Sequence, residues 1–300
     1  MPSKIKIVTD SAAHFSDPSV VSDYDITVVP LGIRWKGQLY REGVDLDAAA
    51  FLEMLNASSG LPQLVPPSAD EFHAVYARLA RETDRILSIH LSQAMHSTWQ
   101  NAQDGIQNLL GRCTITVVDS KSIGLGLALM VEEAARLAET CDSVDEIVRL
   151  LRKQIGRLYT IFTVDRLAYL QQHQLLSQPQ ALLGTMLGIK PLLTIEDGEL
   201  LAMEKVRTPL QTIDKFVEFM LEFSAVDQVL ILQSAVQPTE QTQALIERLN
   251  IEFAARTYPT AVYQPSLACY LGPNASGIMV YEAALNSEGH RSQHEAEEYE

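Results

Sequence analysis

The chain has 300 residues, 47% apolar and 20% charged, with 38 acids against 23 bases and a formal charge of −15. That supplies one large or two medium cores and disfavours nucleic acid or an anionic lipid surface as a partner. Three distant cysteines (Cys113, Cys141, Cys269) show neither a CxxC pair nor zinc spacing, which argues against a disulfide framework.

Residues 4–9 (KIKIVT) read as a short buried strand closed by Asp10-Ser11, a pair suited to capping a turn or helix. The opening residues enter this strand without the apolar core of a signal peptide. Residues 26–33 (ITVVPLGI) read as a second strand, with Pro30 marking an edge or an end. Phe51, Leu52 and Leu55 give 47–55 a helical spacing, and the breaker-rich 58–68 (SSGLPQLVPPS) reads as loop. A helix follows over 69–83, with Phe72, Val75, Tyr76 and Leu79 on one face. Then come a strand over 85–91, a helix over 98–110, a strand over 114–118 and helices over 125–140 and 144–158. Strands and helices alternating at this pace indicate a parallel α/β sheet over the first 155 residues or so.

The second half has a different texture. Residues 160–164 are strand-like, 166–172 and 180–187 helical, and 190–195 (KPLLTI) a strand. Asp197-Gly198 is a hairpin signal that returns 200–206 as the partner strand. A helix over 209–223, a strand over 228–233, a helix over 239–251 and strands over 261–264 and 277–281 complete the pattern, with a turn at Gly272-Pro273. Leu182, Leu183, Met186, Leu187, Ile189, Leu192 and Leu193 form an apolar strip, expected in the core or lining an aliphatic pocket. A hairpin inside an α/β chain points to a mixed sheet. The expected fold class is therefore α/β in two domains: a parallel-sheet N-terminal domain over 1–157 and a mixed-sheet C-terminal domain over 158–285. Residues 286–300 hold five Glu and one Arg, net −4, and read as a disordered acidic tail; −11 remains on the body. No run of about 18 apolar residues occurs, so no membrane insertion is expected. The chain reads as cytoplasmic.

Several groups are candidates for chemistry. IVTDS (7–11) and VVDS (117–120) both end strands in Asp-Ser, and ligands of open α/β sheets bind beyond the carboxyl ends of strands. The segment 92–98 (SQAMHST) puts three hydroxyls and an imidazole between a strand and a helix start, where free N–H groups attract anions. It also admits a Ser–His nucleophile pair, although no GxSxG surrounds Ser92 or Ser97 and no acid is assigned to His96. Capping alone is the favoured reading of the two Asp-Ser ends, whereas for 92–98 anion binding comes ahead of capping. Gly124 and Gly126 make half a dinucleotide fingerprint, better read as a tight turn, and the histidines lack ligand spacing. No metal or cofactor is expected.

In this order the segments resemble the DegV family of bacterial fatty-acid-binding proteins, over 4 to about 281. The resemblance is carried by KIKIVTDSAA, ITVVPLGIRWKGQLYREGVDL, PPSADEF, STWQNA, VVDSKSIGLGLALMVEEAARLA, FTVDRLAYL, ALLGTMLGIKPLLTIEDGEL with EKVRT, and YLGPNASG. It implies two α/β domains with one long-chain fatty acid between them, the tail in an apolar tunnel and the carboxylate held by polar groups. It also implies a non-catalytic carrier that presents the carboxylate to a separate acyl kinase. Ser68, Ser92, Thr98, Lys190 and Arg207 match the family pattern, as do both Asp-Ser turns.

The departures fall in the polar part of the site. Leu64 stands where the family has a carboxylate-binding Thr, His96 where it has Ser, Leu175 in the run that has lost the Arg, and Tyr270 where it has His. The expected ligand-binding set is Ser68, Ser92, His96, Ser97, Thr98, Arg207 and Tyr270, with no catalytic residue. His96, Ser97 and Tyr270 are expected to rebuild a weaker carboxylate site. The alternatives are a divergent relative that binds another apolar ligand, and a Ser/His hydrolase.

Overall fold

A computed structural model describes residues 4–283 apart from 108, 110, 112, 254 and 255. The expected tail over 286–300 lies outside the described residues. The chain opens with β1 (Lys6–Asp10), a short α1 (Ser19–Asp23) and β2 (Thr27–Val29). At Pro30, which has no amide hydrogen to give a ladder, the chain leaves that sheet. It continues as a separate hairpin, β3 (Gly32–Trp35) and β4 (Gln38–Arg41). The single strand read over 26–33 is thus two strands in two sheets.

Asp47 caps α2 (Ala48–Asn56) by accepting from the Ala49 and Ala50 amides. β5 (Gln63–Val65) then pairs antiparallel with β3, Leu64 opposite Ile33. The loop read over 58–68 therefore contains a strand, short enough for its Gly and Pro flanks to mask it. Ser68 and Glu71 form a reciprocal capping box at the start of α3 (Ala69–Leu79). β6 (Arg85–His90), α4 (Thr98–Asp104), β7 (Thr114–Asp119), α5 (Leu125–Leu137) and α6 (Val144–Ile155) follow. The four strands β2-β1-β6-β7 are parallel throughout, so their carboxyl ends share one edge.

The second sheet opens with β8 (Leu158–Thr163), followed by α7 (Leu167–Gln172), α8 (Gln178–Met186), β9 (Lys190–Glu196) and β10 (Glu199–Val206). Then come α9 (Pro209–Leu221), β11 (Val226–Gln233), α10 (Glu240–Glu252), β12 (Thr260–Val262), α11 (Pro265–Leu271) and β13 (Ser276–Glu282). Its order is β10-β9-β8-β13-β11-β12, antiparallel except for β11 with β12. The fold is α/β, with a parallel sheet in the first part and a mixed sheet in the second.

Two elements depart from the sequence pattern. Every residue of α11 is buried, so it has no polar face and no amphipathic period by which to be recognised. Conversely, half of the apolar strip lies on the surface: Leu182, Leu183, Met186 and Leu187 are exposed, while Leu192 and Leu193 are buried in β9. The nine-residue α8 buries only Ala181 and Gly184. One hydrophobic cluster, from Ile5 to Met279, runs through both halves; separate clusters lie between the first sheet and α3–α4, and under α9 and α10.

Candidate functional site

The carboxyl ends of β1 and β6 are joined by a buried polar chain. Asp10, wholly buried, accepts from His90 Nδ1 at 2.9 Å and from the Leu91 and Ala12 amides at 3.0 Å each. With Nδ1–H donating to Asp10, His90 accepts at Nε2 from Ser88 Oγ at 2.7 Å, and Ser88 in turn accepts from Tyr76 Oη at 2.8 Å. Ser88, His90 and Asp10 have the order of a nucleophile triad, yet all three are fully buried and no substrate reaches them. Their effect is to fix where the chain turns out of β1 and β6. The sequence marked Asp10; the alternation of polar Ser88 and His90 in RILSIHL was the unused signal.

From that anchor rises the 91–98 loop. Ser92 O accepts from the Met95 and His96 amides, and Ser92 Oγ from the Ala94 amide. Ser92 Oγ itself donates to Gly198 O in the second half, at 2.7 Å. Tyr270, on α11, donates from Oη to Met95 O at 2.9 Å, so the second half grips this loop twice. His173 stacks on the Tyr270 ring at 4.2 Å and donates from Nε2 to Cys269 O at 3.0 Å.

His96 lies between these contacts. Its Nδ1 is 2.7 Å from Thr98 Oγ1, and Nε2 is 3.5 Å from Leu64 O. A carbonyl only accepts, so Nε2 carries the proton and Thr98 donates to Nδ1. Burial lowers the pKa of His96 from its ordinary value, partly opposed by the Leu64 carbonyl and the Asp10 charge. Burial likewise lowers His173 and raises Tyr270.

A second carboxylate is buried where the halves meet. Glu42 accepts from Ser11 Oγ and from the Ser266 amide, both at 2.6 Å. Burial raises its pKa to about 7, against the pull of those donors, and nearby Asp10 pushes the same way. Nothing in the local sequence of YREGVD distinguishes this Glu from a surface residue.

The structure thus gathers Ser92, His96, Thr98 and Tyr270 at one place. Ser97, the residue preceding α4, is exposed on the same loop and makes no side-chain cap bond. Ser68 is exposed and engaged with Glu71. Arg207 is exposed at the end of β10, its amide bonded to Gln211, and no described contact ties it to the 91–98 loop. Lys190 pairs with Asp165 at 2.7 Å. No described hydrogen bond joins the His96 imidazole to the Ser92 or Ser97 hydroxyl, so the geometry of a Ser–His nucleophile is not formed there. Among the described residues no group of His, Cys, Asp and Glu is arranged to hold a metal, and no helix is long and apolar enough to cross a membrane.

Residues 4–283 match the model of the DegV family, described as uncharacterised proteins. A DegV domain-containing protein of Caldanaerobacter subterraneus subsp. tengcongensis is 30% identical over 283 residues, 93% of this chain and 99% of its own. One from Deinococcus radiodurans is 37% identical over 203 residues, 68% of this chain and 71% of that protein. Two solved structures are similar over their whole length. A fatty-acid-binding DegV family protein from Thermus thermophilus has a TM-score of 0.79 at 25% identity and covers 93% of this chain. DegV of Bacillus subtilis, a fatty acid binding protein, has 0.78 at 25% identity with the same coverage.

Proposed function

This chain belongs to the DegV family, and from that premise we propose that it binds one long-chain fatty acid between its two halves, as a carrier without a reaction of its own. The similar Thermus and Bacillus proteins bind fatty acids, and the core shared by both halves offers apolar surroundings for a tail. The observation that carries the head-group assignment is His96 Nε2. Its proton meets only the Leu64 carbonyl, in a long and therefore weak hydrogen bond of 3.5 Å. A carboxylate arriving at the loop accepts a hydrogen bond from that N–H at little cost, and Tyr270 Oη and the exposed Ser97 hydroxyl lie on the same loop or against it. A bound anion also raises the pKa of His96 and strengthens the contact. The exposed side of 93–97 is then where a separate acyl kinase reaches the carboxylate. Ser68, Ser92 and Thr98 support the loops around the head group, and Arg207, exposed just after β10, is a further cation available to it.

A second reading, an apolar ligand with an uncharged head group, is favoured by one observation. Burial holds His96 towards its neutral form, and the carboxylate that acts on it, Asp10, is itself buried.

Lipid extraction and mass spectrometry of the purified protein separate these readings. A fatty acid in the extract supports the first, and its absence overturns it. His96→Ala is expected to weaken binding of a C18 fatty acid about 10- to 100-fold, the loss of one charge-assisted hydrogen bond. Unchanged affinity removes His96 from the site. Acyl phosphate formed on mixing the protein with an acyl kinase, ATP and fatty acid tests the carrier role.

A further inference from the structure

The turn between β9 and β10 reaches out of its own half. β9 pairs with β8 only from Leu192 to Thr194, so residues 195–198 run on past that pairing with β10 alone beside them. Asp197 and Gly198 take positive φ, 50° and 89°, as a two-residue turn between strands requires. At the tip, Gly198 O accepts the Ser92 hydroxyl and Asp197 Oδ1 meets Lys121 Nζ at 3.0 Å. The approach is closer than a side chain permits: a Cβ on Gly198 lies 2.5 Å from Ser92 Oγ and 3.2 Å from Lys121 Cα. Behind the tip, a cavity of 670 Å³ lined by Leu158, Tyr159, Met203 and Phe219, among others, separates the arm from the body. The arm therefore touches the first half at its end, with space behind it.

That end falls on the residue around which the 91–98 loop is built, since Ser92 O holds both the Met95 and the His96 amides. The contact consists of one neutral hydrogen bond and one exposed ion pair, each individually weak. A contact of this strength releases and re-forms readily, whereas the apolar core between the halves does not.

We propose that the β9–β10 tip is a releasable latch: docked, it holds the Ser92–Ser97 loop in place, and lifted, it frees that loop to admit or release ligand while the apolar core keeps the two halves together. The latch stands independently of the ligand's identity; its control of ligand exchange rests on the reading above.

Gly198→Ala wedges the tip away and leaves the loop's own bonds in place, so it decides the test; Ser92→Ala removes the bond without a clash but also takes the acceptor from the Ala94 amide. Gly37→Ala is the control: Lys36-Gly37 is the equivalent turn of β3–β4, at φ 48° and 84°, with nothing within 4 Å of a Cβ on Gly37. It therefore imposes the backbone strain alone. In the full chain, hydrogen exchange of the Met95 and His96 amides is expected to quicken about fivefold or more in both test variants, the weight of one hydrogen bond. It is expected to stay unchanged in Gly37→Ala, with β1 and β6 amides unaltered in all three. Dissociation of a fluorescent C18 fatty acid rises by a similar factor. Loop exchange in Gly198→Ala no faster than in Gly37→Ala overturns the latch. Faster loop exchange with unchanged dissociation overturns its control of ligand exchange. If the parent binds no C18 fatty acid, the fatty-acid reading fails, while hydrogen exchange still decides the latch.

Discussion

Glu42→Gln should change how stability depends on pH, and in a direction opposite to the usual carboxylate. Most folded carboxylates gain partners and lose stability in acid. Glu42 is only 2% exposed, and burial outweighs its two donors, moving its pKa from an ordinary 4.5 to about 7. Between those two pH values the folded chain holds a proton that the unfolded chain has released. Stability from this group is therefore greatest below about pH 4.5, falls as pH rises through the window, and is level above about 7. At about 1.4 kcal/mol per pH unit, the full fall is about 3 kcal/mol, a visible part of the 5–15 kcal/mol by which domains are typically stable.

Gln has no proton to lose. Its Oε1 keeps the Ser266 amide, and its amide group turns the Ser11 hydroxyl elsewhere, at a cost of about 1 kcal/mol at every pH. His14, which burial lowers to about 4, contributes the opposite slope, with stability lost as pH falls below 6.5, and it does so in both proteins. His96 and His173 act in the same sense as His14. The readout is thus the difference between variant and parent in urea unfolding from pH 4.5 to 8. It is expected to move by about 3 kcal/mol in favour of the variant as pH rises. A constant difference across the range refutes a buried, proton-holding Glu42.

Asp10→Ala deprives His90 Nδ1 and the Leu91 and Ala12 amides of their acceptor in a fully buried place. At about 1–3 kcal/mol per stranded donor the loss should be about 3–9 kcal/mol in urea unfolding, and a loss under about 1 kcal/mol sinks the anchoring role. Gly126→Ala, ordinarily stabilising in a helix, should instead destabilise by about 1–3 kcal/mol. Its Cβ lies 2.1 Å from Leu158 Cδ2 and 2.2 Å from Ser122 Oγ, so a rise in thermal midpoint contradicts that packing. Met186→Ser, on a side chain 75% exposed, should stay within about 0.5 kcal/mol of the parent. Leu193→Ala, fully buried in the same strip, should cost about 2–5 kcal/mol. Equal losses for the two would mean that α8 packs as the sequence pattern first suggests.

The order of strands and helices was legible in the sequence because it rests on short-range properties. The runs KIKIVT and QVLILQ bury both faces, PPSADEF carries a capping box, and Asp197-Gly198 supplies the two positive φ angles a tight hairpin needs. The alternation of strand and helix set the parallel sheet, and the hairpin set the mixed one. Elements failed to show where burial removed the local signal. α11 is buried all round, and β5 is three residues between breakers. The strip around Leu182 to Leu193 reads as one apolar run, yet its halves part company because α8 has little to pack against and β9 lies inside a sheet.

The site divides along the same line. The residue types at 92–98 already marked the loop, and the Asp-Ser ends of the strands the sheet edge on which it lies. What those groups do was decided by partners far along the chain. Ser92 meets Gly198, Tyr270 meets Met95, and Glu42 meets Ser266, at separations of 106, 175 and 224 residues. A donor's type is written in one residue, and its neighbours on a helix or strand in the next few. Which acceptor it faces, and whether water is kept out, depends on two halves closing over one core, and only the tertiary structure sets that.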